Sequence, residues 1–389
     1  MRTLVTIIFL ITVSSAWGLN LDPNKRTVCS MTLNSDEERD IFIREVEKDR
    51  AHFNQVVELT SFGSGGNWFE AACRTGVRCD ILVISGHFTD RFSGNHQGAR
   101  RSLTMDTMER AGCRNTCEGI MDHPYEVFLL GCNTLSEKGT DTRGERGYLE
   151  HLLEEGTSRS RSELVTEGLF GITGDSNRGR MERAFRGQTK MLYGFDSRGP
   201  SGATIEPMLN DYFRRRSLLA GLQRAEAVRA TSQVTAANNL LAETLNRTAF
   251  EQCVAGADSL LDRRVCALYN EGLTVERRLS IIEDAFGEED WIKYVPTINE
   301  FLRAHPPANM SREQRNLLRE LARNPVIGRQ ARNLARSHRY AAVRAEWQFF
   351  ADSIGFGASG AAPERRADPI GDLIEERESL IDEHFLDGI

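Results

Sequence analysis

The chain has 389 residues, with 49 Lys and Arg against 56 Asp and Glu, so its net charge at pH 7 is −7. This acidic balance argues against nucleic acid as a general partner, because phosphate binding needs a basic surface. The length leaves room for two domains of about 150 residues each after a short leader.

The first eighteen residues have the order of a secretory signal peptide. Arg2 supplies the positive start, residues 4–13 form an apolar run, and small residues follow up to Gly18. The run is shorter than the span of about 20 residues that a bilayer requires. We therefore expect residues 1–18 to act as a signal peptide, with cleavage after Ala16 or Gly18 fitting equally well. The mature chain is expected to be exported, periplasmic or secreted, without an integral membrane segment.

The first half of the mature chain, residues 19–215, alternates strand and helix patterns. Amphipathic or capped helices are predicted over residues 36–54, from Asn67 to about Thr75, and over residues 148–155 and 162–169. Short apolar runs predict strands over residues 56–60, 80–85, 126–131 and 189–194. A long loop is expected between the second and third strands. Strands alternating with helices predict a three-layer α/β sandwich with a mainly parallel sheet.

The second half is predicted to be an all-α helical domain, residues 216–354. Apolar residues recur there at helical spacing over residues 218–244, 275–286, 297–304, 312–323 and 330–354. Residues 355–389 begin with a Gly- and Ala-rich linker and end in an acidic tail. The tail is interpreted either as a solvated end or as a tethered docking helix, and the tail or the helical domain could bind a regulatory partner.

Eight cysteines in an exported chain indicate disulfide bonds. Three pairs of cysteines lie close in sequence: Cys73 with Cys79, Cys113 with Cys117, and Cys253 with Cys266. These are the pairings we consider first, although spacing does not fix connectivity, and they leave Cys29 and Cys132. Neither Cys-x-x-Cys nor His-x-x-x-His spacing occurs, so no zinc site and no cofactor are expected.

Two predicted strands end in a glycine followed by a reactive side chain. The strand at residues 80–85 leads to Gly86 and His87, and the strand at residues 126–130 leads to Gly131 and Cys132. The carboxyl ends of neighbouring parallel strands meet at one edge of a sheet, which is where ligand sites form. An imidazole beside a thiol favours the thiolate and can protonate a leaving amine. The pattern predicts a catalytic dyad of His87 and Cys132.

The caspase-like clan of cysteine peptidases has a histidine block and a cysteine block that resemble these segments. The matching stretches are Asp80-Ile-Leu-Val-Ile-Ser-Gly-His87 and Glu126-Val-Phe-Leu-Leu-Gly-Cys-Asn-Thr134. Separases and the bacterial caspase-like peptidases related to them are the closest part of that clan. The resemblance covers residues 56–213 and implies a caspase-like fold with hydrolysis of peptide substrates through a thioester, without metal. It also implies an oxyanion hole formed by the backbone amides of Phe88 and Cys132.

Substrate preference is less clearly encoded. Asp196 and Ser197 follow the last strand of the α/β half and are candidate walls of the substrate pocket, where Asp196 could pair with a basic side chain; a turn-capping role for Asp196 is the competing interpretation. The Gly- and Arg-rich residues 138–161 are interpreted as a solvated loop, or as an activation-cleavage site. His123 competes with His87 for the role of base, but it precedes its strand instead of following it.

One departure from the family pattern supports a second hypothesis. The family usually has glycine after the catalytic histidine, and this chain has Phe88. The alternative is a catalytically inactive homologue that acts as a peptide- or partner-binding module. In such a protein Cys132 is expected to be buried or disulfide-bonded, for instance to Cys29.

Overall fold

The computed structural model describes residues 20–34, 36–63, 65–96, 98–189, 191–196, 198–200, 202–231, 250–253 and 266–356. The predicted signal peptide, Ser197 and the acidic tail beyond residue 356 therefore lie outside the described residues. The chain divides into two compact units, with the boundary between Phe301 and Leu302.

A six-stranded sheet forms the centre of the first unit. Its strands are β1 (Val28–Thr32), β2 (Val57–Glu58), β3 (Ile81–Ser85), β7 (Glu126–Leu130), β8 (Met191–Phe195) and β9 (Phe250–Cys253). The order is β2-β1-β3-β7-β8-β9; the first five strands are parallel and β9 is antiparallel to β8. A separate three-stranded antiparallel sheet contains β4 (His87–Phe88), β5 (Arg91–His96) and β6 (Ala99–Thr104).

The first unit also contains nine of the described helices. They are α1 (Glu37–Lys48), α2 (Trp68–Arg74), α3 (Met105–Arg114), α4 (Gly144–Glu154), α5 (Arg159–Phe170), α6 (Asn177–Ala184), α7 (Gly202–Arg215), α8 (Leu218–Thr231) and α9 (Val275–Phe286). Helix α10 (Val295–Ala304) spans the boundary between the units.

Helices cover both faces of the central sheet. On β3, Ile81 and Val83 face the layer formed by α1, α7 and α8, whereas Leu82 and Ile84 face the layer formed by α2, α3 and α6. Successive side chains of a strand point to opposite faces, so a strand that is apolar throughout suits a sheet covered on both sides. The predicted α/β sandwich with a mainly parallel sheet is confirmed, as is a helical region after it.

The described part of the second unit is helical. Its helices are α11 (Arg312–Ala322), α12 (Pro325–Ser337) and α13 (Ala341–Ile354). The last two lie within and around residues 330–354, where the sequence predicted one helix. His338 adopts an extended backbone, with ψ 140°, and this ends α12. None of the described helices is long and apolar enough to cross a membrane.

Three strand regions are absent from the sequence-based prediction. Strand β1 is fully buried, but it carries Ser30 and Thr32, whose hydroxyls bond each other at 2.9 Å and so remove the cost of burying them. The hairpin of β5 and β6 replaces the expected loop; it is largely polar, and its turn contains Gly98 at φ +78°. Strand β9 lies in the region predicted to be all-helical.

Three disulfides link segments that are distant in sequence. They join Cys29 to Cys79, Cys73 to Cys117 and Cys113 to Cys266, across 50, 44 and 153 positions. The pairings between cysteines close in sequence were therefore wrong. The chain brings strand and helix ends together from different parts of the fold, and sequence spacing does not report that proximity.

Candidate active site

The register between β3 and β7 places His87 and Cys132 at equivalent positions. The strands pair in parallel with Ser85 opposite Leu130, so each candidate residue is the second residue beyond the paired ends. The N–H of Gly86 donates to the carbonyl of Leu130 at 3.4 Å, which continues the pairing past the strands. Both residues therefore emerge at the carboxyl edge of the sheet, where the sequence predicted them.

The loop that carries His87 and the loop that carries Cys132 contact each other at Gly131. A Cβ added at Gly131 would lie 2.7 Å from the Cβ of Phe88 and 2.8 Å from the carbonyl oxygen of Gly86. These separations are shorter than any ordinary Cβ contact. Glycine at position 131 therefore permits the histidine and cysteine loops to approach each other.

His87 and Phe88 point in opposite directions from strand β4. His87 is exposed, whereas Phe88 is 2 % exposed and packs in the core, with its ring centroid 4.8 Å from that of Phe92. Alternation along a strand accounts for the difference. The phenyl ring, which stands where the caspase-like pattern has glycine, thus lies in the hydrophobic core, on the side of the strand opposite to the exposed His87.

The backbone amide of Phe88 is oriented away from its hairpin partner. Thr89 donates its N–H to the carbonyl of Arg91, and bonded pairs alternate with non-bonded pairs in an antiparallel ladder. His87 opposite Ser93 is then a bonded pair, and Phe88 opposite Phe92 is a non-bonded pair. The N–H of Phe88 therefore points away from β5, which an oxyanion donor at this position requires.

Cys132 is the one cysteine outside a disulfide among those whose side chains are described, and it is half-buried. Its Sγ lies 3.9 Å from the carbonyl oxygen of Gly199. Cys29, the alternative partner considered from the sequence, is bonded to Cys79. The thiol is therefore neither sealed in the core nor oxidised to a neighbouring cysteine.

A tight turn after Cys132 fixes the cysteine loop to the end of β8. Asn133 adopts a left-handed backbone with φ +57°. The hydroxyl of Thr134 shares its proton between the carbonyls of Leu129 and Gly131, at 3.1 and 3.2 Å, and accepts the N–H of Phe195 at 3.1 Å. The chain turns directly after Cys132, and the next helix is α4.

Arg143 and Tyr148 contact each other in the segment after the cysteine loop, with the guanidinium 4.9 Å from the centroid of the Tyr148 ring, and the sequence had not singled them out. Burial lowers the pKa of Arg143, but its hydrogen bond and ion pair with Asp141 outweigh this, and Tyr148 and Cys132 add to the rise. Burial raises the pKa of Tyr148, and Cys132 adds to that rise as well.

The stretch interpreted as a solvated loop is partly buried and contains α4. The side chains of Asp141 and Arg143 are 1 % and 10 % exposed, and Tyr148 is fully buried. Tyr148 and Leu152 pack together at the i, i+4 spacing of one helix face. The sequence predicted a helix over residues 148–155, and α4 covers most of that range; it did not indicate the burial of Asp141 and Arg143 before the helix.

The other two candidate residues, Asp196 and His123, lie at opposite edges of the central sheet. Asp196 follows β8 directly, at the same edge as Cys132, and its carbonyl accepts the hydroxyl of Thr140 at 3.3 Å. His123 precedes β7, and its Nε2 lies 3.7 Å from Asp80, the residue that precedes β3. His123 therefore lies at the amino edge, as its sequence position indicated.

Comparison with protein-family models, with curated proteins and with solved structures gives no significant match to this chain.

Proposed function

We propose that this protein is an exported cysteine endopeptidase of the caspase-like type, with His87 and Cys132 as its dyad. The observation that carries the proposal is the parallel register, in which an exposed imidazole and a reduced, half-buried thiol stand at equivalent positions beyond neighbouring strands. Carboxyl edges of such sheets are where α/β proteins place their reactive groups.

In the proposed reaction, Sγ of Cys132 attacks the carbonyl carbon of the scissile peptide bond. The thiol proton passes to the imidazole of His87 and then to the amine nitrogen as the C–N bond breaks, which leaves a thioester on Cys132. Water attacks the thioester, loses a proton to His87, and releases the acid while the thiol is restored. The amides of Phe88 and Cys132 are the proposed donors to the oxyanion.

Asp196 is the proposed pocket residue for a basic substrate side chain, together with Ser197, which lies outside the described residues. The carboxylate follows β8 at the edge that carries Cys132. Asp196 would attract Lys or Arg in a substrate by charge. Export is proposed from the signal-peptide pattern of residues 1–18 and from the three disulfides, which are typical of oxidising compartments.

The test is peptide cleavage by the full mature chain, purified with its disulfides intact. Cys132→Ala is expected to abolish cleavage of a peptide library, and His87→Ala is expected to reduce kcat/KM by about 10²–10⁴-fold. His52→Ala is the matched control, because His52 is exposed and pairs with Asp49 on the surface of the same unit. Its activity should equal that of the unmodified protein.

Two outcomes would reject the peptidase. The first is cleavage that survives Cys132→Ala. The second is a folded protein with a reduced Cys132 thiol that cleaves nothing in the library and is not labelled by a peptidyl acyloxymethyl ketone. The second outcome would favour the binding-module hypothesis, which peptide-binding measurements on the same preparation would then examine.

A further inference from the structure

The described part of the second unit is strongly basic, although the chain as a whole is acidic. Residues 302–356 contain ten arginines and four acidic residues, a net charge of +6, whereas the whole chain carries −7. Residues 321–345 contain six of these arginines and no acidic residue. The positive charge is therefore concentrated in a stretch that supplies no carboxylate of its own to neutralise it.

Three arginines form a row along one side of α12. Arg329, Arg332 and Arg336 follow one another at steps of three and four residues, the spacing of one helix face, whereas Ile327 and Ala331 are on the buried side. Arg329 and Arg336 are exposed and Arg332 is half-buried. Within the described residues, neither Arg329 nor Arg336 forms an ion pair. Like charges at this spacing weaken a helix, so the arginine row does not serve the stability of α12.

The described chain ends beside the arginine row. Phe356 is buried, and a guanidinium nitrogen of Arg332 donates to its carbonyl oxygen at 2.7 Å. A Cβ added at Gly328 of α12 would lie 2.9 Å from Cδ1 of Phe356, so the phenyl ring packs directly on this helix. The segment that follows Phe356 therefore starts at the surface of α12, next to Arg332.

The segment that follows Phe356 carries the opposite charge. Residues 368–387 lie outside the described residues, and their sequence holds eight acidic side chains and one arginine. Residues 357–367, which join this acidic segment to Phe356, span up to about 36 Å when extended. Helix α12 has 13 residues and is about 20 Å long. The tether is therefore long enough for the acidic segment to reach every arginine of the row.

We propose that the acidic segment, residues 368–387, binds the arginine row of α12 in the same molecule. A single exposed ion pair adds little to binding. Several pairs act together here, and the tether gives the segment an effective concentration of the order of millimolar at the row. Arginine suits carboxylates because its guanidinium donates to both oxygens at once. Of the two interpretations of the tail, this selects docking over a solvated end, and it does not depend on the proposed peptidase activity.

Carbodiimide cross-linking of the full mature chain tests this contact. The reagent joins a lysine amine to a carboxylate, and residues 302–356 contain no lysine. Arg329→Lys and Arg336→Lys therefore each place a single reactive amine in the row and keep the positive charge. Each variant is expected to form an intramolecular cross-link to a carboxylate within residues 368–387, identified by peptide mass. The yield should fall about tenfold in 1 M NaCl, where charges are screened beyond about 3 Å.

Arg312→Lys is the matched control, because Arg312 is an exposed arginine on α11 of the same unit, and it should give the lower yield. An equal yield from that variant would overturn the inference, since it would indicate general attraction instead of binding at the row. Cross-links between two molecules would overturn it by assigning the segment to a second copy. Absence of any cross-link to residues 368–387 would also reject it, and binding of the unmodified chain to phosphatidylglycerol vesicles would then assign the row to an anionic lipid surface.

Discussion

Gly131 is the residue through which the two halves of the proposed site touch. Its hydrogen atom faces the Cβ of Phe88 and the carbonyl of Gly86, a space that no side chain can enter without moving backbone. Glycines in loops are often taken as a sign of a flexible backbone. Here the reason for glycine at position 131 is close contact.

Gly131→Ala should destabilise the protein and impair the proposed activity. The new methyl group would force the histidine and cysteine loops apart, at a cost of about 1–3 kcal/mol in the free energy of unfolding. Urea unfolding of the variant, with cleavage measured in parallel, tests this. Gly66→Ala is the control, because a Cβ there would meet nothing within 4 Å. Equal stability of the two variants would contradict the contact at Gly131.

The effect of Phe88 on the proposed site depends on the direction in which its ring points. In the sequence the ring stands directly beside the candidate histidine, and the resemblance alone leaves its position open. Strand alternation sends the ring into the core next to Phe92, while His87 stays exposed. The ring of Phe88 therefore contributes to the core, and residue 88 still supplies a backbone amide.

At the level of the elements, the carboxyl group of Glu126 is buried where α8 packs against β7 and β8. Glu126 begins β7 and is 2 % exposed; the hydroxyl of Tyr193 donates to it at 3.1 Å. A Cβ added at Gly221 of α8 would lie 3.1 Å from Oε2 of Glu126, so the helix packs closely over this carboxyl group. Burial raises the pKa of Glu126 to about 7, opposed by Arg216, Tyr193 and Arg224.

This carboxyl should make the protein less stable as the pH rises. Between its ordinary value of 4.5 and about 7, the folded protein keeps the proton of Glu126 and the unfolded chain loses it. The unfolded state then binds fewer protons, so stability falls with pH across that window, by up to about 3 kcal/mol.

Glu126→Gln should remove that dependence, since the amide stays neutral and can still accept the hydroxyl of Tyr193. Urea unfolding below and above the window compares the slopes of stability against pH. Glu70→Gln is the control, because Glu70 is 72 % exposed, and it should keep the slope of the unmodified protein. An unchanged slope in Glu126→Gln would show that Glu126 ionises normally.

At the scale of the whole molecule, the disulfides hold the α/β unit across long stretches of chain. The bond between Cys73 and Cys117 ties the end of α2 to the turn after α3. The bond between Cys113 and Cys266 closes the longest loop of the three. Each restricts the unfolded chain more than a bond between neighbours in sequence would.

Replacing Cys73 and Cys117 together with serine should lower the free energy of unfolding by about 4 kcal/mol, from the entropy of a loop of 44 positions. Thermal or urea unfolding without reductant measures the loss. With dithiothreitol present, the variant and the unmodified protein should unfold alike, because both then lack all three bonds. Cys132→Ser should retain the stability of the unmodified protein, and a comparable loss in that variant would contradict the proposed free thiol.

The sequence by itself determined the fold class and the edge at which the candidate dyad lies. Strands β3 and β7 are apolar on both faces apart from Ser85 at the end of β3 and Glu126 at the start of β7, and a sheet covered on both faces is the environment that suits such a run. The glycine and the reactive side chain that come after each strand can be read directly from the order of residues. Chain order also separates His123, before its strand, from His87, after its own.

Only the tertiary structure decided which distant groups meet. It paired Cys29 with Cys79 across 50 positions, and it placed the guanidinium of Arg143 on the carboxylate of Asp141 and 4.9 Å from the centroid of the Tyr148 ring. Local periodicity reports which way a side chain faces, not what it faces. The partners of a cysteine or of a buried charge depend on how whole elements pack, and that information is carried by no single stretch of the chain.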